Sequence, residues 1–201
     1  MLRSRADADG HQTDEKGFVE LMVKHYPGGK ASTHLHSLKP GDTCTFAPIP
    51  ELKWTPNQHQ HVAMIAGGAG ITPMLQLARG ILKNPEERTR ITLVWGVNTD
   101  SDIFLQKELD AFAKQHPDRF SVTYVVATPD AKSPHQKGFI TKEILEKVGL
   151  KPSAKSADTK VLVCGPPPME KALKGTKSFL GGAKPGVLGE LGYKADQIFS
   201  F

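Results

Sequence analysis

The 201-residue sequence predicts an α/β protein, a doubly wound parallel sheet preceded by a shorter β-prone segment. Three observations carry this. From residue 61 onward, short apolar runs alternate with stretches of helical periodicity, the order that builds parallel strands with crossover helices. The runs are solid rather than alternating, HVAMIA at 61–66 and KVLVC at 160–164, so their strands are covered on both faces. Two of them end in loops of unusual composition, 67–73 and 165–169, where such sheets bind ligands beyond the carboxyl ends of strands.

Taken in order, residues 1–16 read as a polar tail. Met1, Arg3 and Arg5 faintly suggest a targeting segment, but Asp7, Asp9, Asp14 and Glu15 follow too soon. Residues 18–24 (FVELMVK) read as a strand, Pro27-Gly28-Gly29 as a turn, and 32–38 as a short helix with Ser32 as N-cap. Lys39-Pro40-Gly41-Asp42 is a second turn and 43–47 a second strand. Pro48, Pro50 and Pro56 punctuate an expected linker ending in Asn57-Gln58-His59-Gln60. Strand 61–66, helix 72–83, strand 91–95, helix 102–115 and strand 120–126 follow. Helix 141–148 (capped by Thr141, with Gly149 beyond it), strand 160–164 and a helix from 168 to 174 complete the pattern. The expected domains are 17–56 and 57–201.

The composition bounds the function. With 38% hydrophobic and 23% charged residues the chain is globular, not disordered. Its net charge of +5 is spread along the sequence without interleaved aromatics, which argues against a nucleic-acid binder and suits an acidic partner. Cys44 and Cys164 make neither a disulfide framework nor a four-cysteine cluster. No apolar run reaches the roughly 18 residues of a membrane span. The pairs His34/His36 and His59/His61 have no acidic or cysteine cluster beside them and read as solvated or structural.

Three motifs carry chemistry. Gly67-Gly68-Ala69-Gly70-Ile71-Thr72-Pro73 joins a strand to a helix. Its glycines let the backbone turn tightly and approach a ligand, Thr72 is placed to cap, Pro73 suits the first turn, and the helix N-terminus favours negative charge. It is not the GxGxxG fingerprint, because Pro73 occupies the third glycine position; a well-capped turn without a ligand is the plainer reading. Cys164-Gly165-Pro166-Pro167-Pro168-Met169 ends a later strand. Its prolines make a rigid wall for a planar ring and its thiol is small and polarizable. For Cys164 taken alone, a buried structural cysteine is the plainer reading. The third motif is Lys24-His25-Tyr26-Pro27-Gly28-Gly29-Lys30-Ala31-Ser32, where backbone N–H groups and Lys30 can meet a pyrophosphate. It fails the P-loop pattern at Lys24 and Ala31, so triphosphate hydrolysis is not expected.

In this order and spacing the motifs resemble those of the NADH–cytochrome b5 reductase family, ferredoxin–NADP reductase-like flavoproteins, over residues 17–201. GFVELMVKHYPGGKASTHLHSLKPGD resembles the family's flavin-domain segment; IAGGAGITPMLQL and VCGPPPM resemble its two nicotinamide-facing loops. The ending LGELGYKADQIFSF is similar to that of the fungal mitochondrial form. The resemblance implies FAD and NADH as cofactors and cytochrome b5, an acidic haem protein, as electron acceptor. It also implies a mitochondrial location, in the outer membrane or intermembrane space.

Carried onto this sequence, Lys24, Tyr26, Gly29, Lys30, Ala31 and Ser32 become flavin contacts, Lys24 at the flavin or the NADH. Gly67, Gly68, Ala69, Gly70, Ile71, Thr72 and Pro73 form the shared loop, with Thr72 nearest the rings. Cys164, Gly165, Pro166 and Met169 flank the nicotinamide, Phe201 closes the site, and Thr72 and Cys164 are the expected catalytic pair.

The family's flavin domain is an antiparallel β-barrel, and its Arg-x-Tyr-[Ser/Thr] signature has no counterpart here, since no tyrosine precedes Tyr26. A closed six-stranded barrel needs on the order of 100 residues at usual strand and loop lengths. The expectation is therefore an incomplete FAD-binding barrel over 17–56, an N-terminally truncated chain without the family's membrane anchor. Ala69 replaces a common threonine, and Asp130 offers only a displaced carboxylate after strand 120–126. Two functions stay open on these residues: a flavoprotein reductase, and an NADH-binding remnant without stable FAD or turnover. The related flavin module of nitrate reductase carries similar loops.

Overall fold

The computed structural model describes residues 2–3, 20–47, 52–153, 156–177 and 183–201. The chain forms two compact units, Met1–Lys53 and Trp54–Phe201.

In the first unit, β1 (Leu2–Arg3) pairs antiparallel with β2 (Glu20–Leu21), Leu2 opposite Leu21 and Arg3 opposite Glu20. The strand expected over 18–24 is thus shorter at its C-terminal end, while residues 18 and 19 lie outside the described residues. The strand expected at 43–47 does not form: β propensity without a hydrogen-bonded neighbour leaves only irregular chain. Pro27 and Gly28 make the expected turn, Gly29 N–H donating to the Tyr26 carbonyl at 2.9 Å with Gly28 at φ +73°. Helix α1 (Lys30–Ser37) starts directly from this turn. Its N-cap is therefore Gly29 and not Ser32, which lies inside the first turn.

The second unit holds β3 (His61–Gly67), α2 (Ile71–Lys83), β4 (Arg90–Val97), α3 (Gln106–Gln115), β5 (Phe120–Val126), β6 (Gln136–Lys137) and α4 (Lys142–Lys147). It continues with β7 (Thr159–Cys164), α5 (Pro167–Lys174), β8 (Gly175–Lys177), β9 (Ala183–Pro185), α6 (Val187–Glu190) and β10 (Ile198–Ser200). Six strands make one wholly parallel sheet in the order β10-β7-β3-β4-β5-β6, and β8 and β9 form a separate antiparallel pair. The chain builds outward from β3 through β4, β5 and β6, then returns to lay β7 on the other side of β3. That reversal is the topological switch point, where doubly wound sheets open a crevice.

The solid apolar runs are explained by burial on both faces. Val62 to Ala66 and Val161 to Val163 are fully buried. On one face Ala63, Ile65, Val94, Val125, Val161 and Val163 pack with Leu145, Leu173 and Leu188 of α4, α5 and α6. Helix α2 packs against β3, β4 and β7, and α3 against β5. Each fully buried Ile65, Leu162 or Val163 contributes about 1.5–3 kcal/mol over an exposed one. Helix α3 begins later than expected, because residues 100–102 form a separate 3-10 turn closed by a Thr99–Asp102 capping box. Thr141 does cap α4, its Oγ1 accepting from Ile144 N–H at 3.4 Å.

Residues 54–60, expected as part of a linker, are tied to the second unit. Glu87 accepts hydrogen bonds from Asn57 N–H (2.7 Å), Trp54 Nε1 (3.1 Å) and Thr89 Oγ1 (2.6 Å). Burial alone would raise the Glu87 pKa, but these donors outweigh it and hold the carboxyl below its ordinary value. Among the described residues, no helix is long and apolar enough to cross a membrane, and no group of three or more His, Cys, Asp or Glu side chains is placed to hold a metal ion.

Candidate functional site

Strands β3 and β7 are hydrogen-bonded neighbours at the switch point, with Ala66 in register with Cys164 on one side and Trp95 on the other. Parallel partners in register share a face, so Trp95, Ala66 and Cys164 make a row immediately below the glycine loop.

The loop above that row is held from both sides. Gly68–Gly70 form a 3-10 turn that runs straight into α2. A Cβ built on Gly70 would collide with the Cys164 carbonyl, and one on Gly67 would lie 2.6 Å from Met169 Sδ and 2.8 Å from Pro166 Cδ. A Cβ on Gly165 would meet Met169 Cε and lie 3.1 Å from Gly67 N. The two predicted loops are therefore packed together through their glycines, with the Met169 thioether between them. On the β4 side, Trp95 Nε1 donates to the Gly68 carbonyl at 2.9 Å.

Thr72 does not cap α2, contrary to expectation. The 3-10 turn leaves no extended residue there, the N-cap is Gly70, and Thr72 Oγ1 instead donates to the Ala69 carbonyl at 2.9 Å. Pro73 sits in the first turn, where its missing N–H costs no intrahelical bond. Ile71 is fully buried and lends the loop only its backbone. Gly68, at φ +52°, has open space where a Cβ would stand. Cys164 and Gly165 are half-buried, and Pro166 is exposed.

Phe201 joins the same edge of the sheet. Its N–H donates to the Val163 carbonyl at 3.2 Å, one residue below Cys164, and its ring meets Phe199 edge-on at 5.1 Å. Ser200 Oγ beside it is buried without a hydrogen-bond partner among the described residues. At the far side of the sheet, Asp100 gathers the loop after β5. It accepts from Asp130 N–H at 2.7 Å and Ser133 Oγ at 2.5 Å, with His135 Nε2 at 3.9 Å. Hydrogen bonds from Ser133 and Asp130 lower the Asp100 pKa. The Asp130 side chain itself is exposed.

In the first unit, Ser32 is buried and its hydroxyl stays local. It accepts from Tyr26 N–H at 3.2 Å and lies 3.2 Å from the Gly29 carbonyl. The backbone N–H groups of Lys30, Ala31 and Ser32 open the helix, and no acidic side chain stands in its first turn. Tyr26 is half exposed with Lys24 Nζ 5.8 Å from its ring centre.

These features fit the two cofactors that the resemblance implies. An acid-free helix start after a glycine turn suits a pyrophosphate. An open loop at Gly68, a half-buried thiol and an unpartnered buried hydroxyl at one sheet edge suit an amide-bearing planar ring.

A parallel sheet with two glycine-built loops meeting at its switch point defines a nucleotide-binding α/β unit. Residues 64–175 match the oxidoreductase NAD-binding domain family, and residues 4–54 match the oxidoreductase FAD-binding domain family. The chain is 48% identical over 191 residues to NADH-cytochrome b5 reductase 2 of Pyricularia oryzae, covering 94% of this chain and 57% of that protein. It is 46% identical to the Aspergillus clavatus protein of the same name, covering 94% and 59%. The crystal structure of the cytochrome b5 reductase domain of Ulva prolifera nitrate reductase superposes with a TM-score of 0.75 at 31% identity, covering 91% of this chain and 72% of that one. The chain belongs to the oxidoreductase NAD-binding domain family, within its NADH–cytochrome b5 reductase group. It spans a little over half the length of the curated relatives it matches.

Sequence reasoning missed Trp95, the Asp100 clasp and strand β10. Ile198-Phe199-Ser200-Phe201 carries enough apolar character to suggest an edge strand. Nothing local announces the Trp95–Gly68 bond, which joins residues 27 positions apart.

Proposed function

We propose that this chain oxidises NADH as part of a flavoprotein reductase whose electrons pass through FAD to cytochrome b5. The contact between Gly70 and Cys164 supports the reading, because it brings together, at the ends of neighbouring strands, the two loops expected to face the nicotinamide.

When bound, NADH supplies an electron pair and FAD divides it into single electrons for a haem acceptor. The chain's own residues do positional work. Gly67 to Gly70 let a flat ring approach backbone, and the N-terminus of α2 favours its phosphates. The Cys164 side chain and the Pro166 wall fix the ring's plane, and the Phe201 ring covers the crevice from β10. Thr72, bonded to Ala69, keeps the loop shaped rather than moving a proton. In the first unit, Lys30 and the opening N–H groups of α1 hold the flavin pyrophosphate, with Tyr26 against its ring. The domain division follows from the same reading: an FAD-binding segment over 17–56 and an NADH-binding unit over 57–201. A mitochondrial location belongs to the proposal, supported by the likeness of the C-terminal segment to the fungal mitochondrial form.

The test is reconstitution. The purified chain incubated with FAD and freed of excess should be yellow, should bleach on anaerobic addition of NADH, and should then reduce cytochrome b5. A preparation that binds NADH yet keeps no FAD would reduce the function to nucleotide binding without turnover. One that binds neither would overturn it.

A further inference from the structure

The geometry points to Trp95 as a positioning residue for the NADH site, acting through the Gly68 peptide; this rests on the function proposed above.

Trp95 is fully buried on β4, and its single polar hydrogen goes to the Gly68 carbonyl at 2.9 Å. Gly68 opens the 3-10 turn in a left-handed conformation, φ +52°, which leaves its peptide planes with little intrinsic preference. The peptide bond is planar and trans, so the Gly68 C=O and the Ala69 N–H point in opposite directions. With the carbonyl drawn to the indole, the Ala69 N–H must face away from β4. As an opening residue of the turn, Ala69 has no intrahelical acceptor for that hydrogen. The indole bond therefore fixes this loop donor in a direction away from β4, available to a ligand oxygen at the proposed NADH site.

The indole is itself immobilised. Phe104 meets it edge-on at 5.5 Å, and Tyr124 lies at 6.3 Å. Tyr124 in turn donates to Asp110 Oδ1 at 2.7 Å. On the other flank, contact with the Cys164 carbonyl fixes Gly70. Without the indole, the Gly68 peptide is the part of the loop left free to flip.

Trp95→Phe keeps the ring packing and deletes the donor. It should weaken NADH binding roughly tenfold, the effect of leaving one buried carbonyl unpaired. It should do so at a temperature where circular dichroism shows the variant folded. Leu109→Ala, a buried change in α3 away from the loop, lowers stability as well but should leave NADH affinity unchanged. Unchanged affinity in Trp95→Phe would overturn the inference, as would an equal loss in Leu109→Ala.

Should Trp95→Phe fail to fold, the wild-type chain answers by nuclear magnetic resonance, with Trp54→Phe used to assign the two indole N–H signals. Saturating NAD+ should shift the Trp95 signal and leave that of Trp54 in place. Binding without a Trp95 shift contradicts the assignment. A wild-type chain that binds neither NADH nor NAD+ overturns the proposed function, and the inference with it.

Discussion

Gly70 lies so close beneath the Cys164 carbonyl that a methyl group on its α-carbon would overlap that oxygen. The atom in the way is backbone at the end of a strand whose Val161, Leu162 and Val163 are fully buried, so it cannot yield as a flexible side chain would.

Gly70→Ala should therefore destabilise the protein by about 1–3 kcal/mol, the usual cost of overpacking. Urea unfolding should show a lower midpoint, and a titration should show NADH affinity falling well beyond what the stability loss explains. A variant as stable as the parent would mean that the two loops do not touch.

Cys164→Ala removes a half-buried thiol from the strand tip without touching the glycine contact. Its effect should fall on the rate of flavin reduction, by on the order of tenfold for one misplaced ring contact. NADH affinity should change much less. Stopped-flow reduction at the parental rate would remove Cys164 from the reacting face.

Glu87 makes the N-terminal ends of β3 and β4 acid-sensitive. Its folded pKa lies below the ordinary 4.5, so its stabilisation is complete above about pH 4.5 and is lost as pH falls through the folded value. Glu87→Gln should cost about 1–3 kcal/mol near neutrality, where it leaves donors poorly matched. The gap to the parent should close on acidification. A constant gap from pH 7 to pH 3, followed by chemical denaturation, would show that the carboxylate's charge is not what matters.

Tyr193 packs in the core beside Leu145, Leu173 and Leu188, and its hydroxyl is buried with no hydrogen-bond partner among the described residues. Burial pushes its pKa up to about 12. Tyr193→Phe removes an unsatisfied polar atom and keeps the ring, so stability should be unchanged or rise by up to about 1 kcal/mol. A clear fall in melting temperature would reveal a partner for that hydroxyl.

The α/β unit was legible because its signals are local and repeated. Solid runs such as 61–66 have one physical use, a strand covered on both faces, and β5 matches the expected 120–126 residue for residue. The glycine and proline loops were legible for a related reason: such composition is costly unless backbone must approach something closely, as Gly67, Gly70 and Gly165 do. What failed depends on partners distant in sequence. Residues 43–47 have strand composition and no ladder, and residues 20–24 keep only the two residues that face Leu2 and Arg3. Both capping assignments, at Ser32 and Thr72, failed alike. In each case a glycine turn feeds the helix directly, and the hydroxyl bonds back to the turn instead. Trp95 reads as one more core aromatic until the fold brings Gly68 to its indole nitrogen.

The most direct test of the shared crevice is an NAD+ titration of the isotope-labelled chain, following backbone amide resonances. Signals from Gly67 to Ile71 and from Cys164 and Gly165 should move together along one saturation curve, with Phe201 responding beside them. If NAD+ binds while either loop stays unmoved, or if the two saturate at different concentrations, the loops do not form one nicotinamide site.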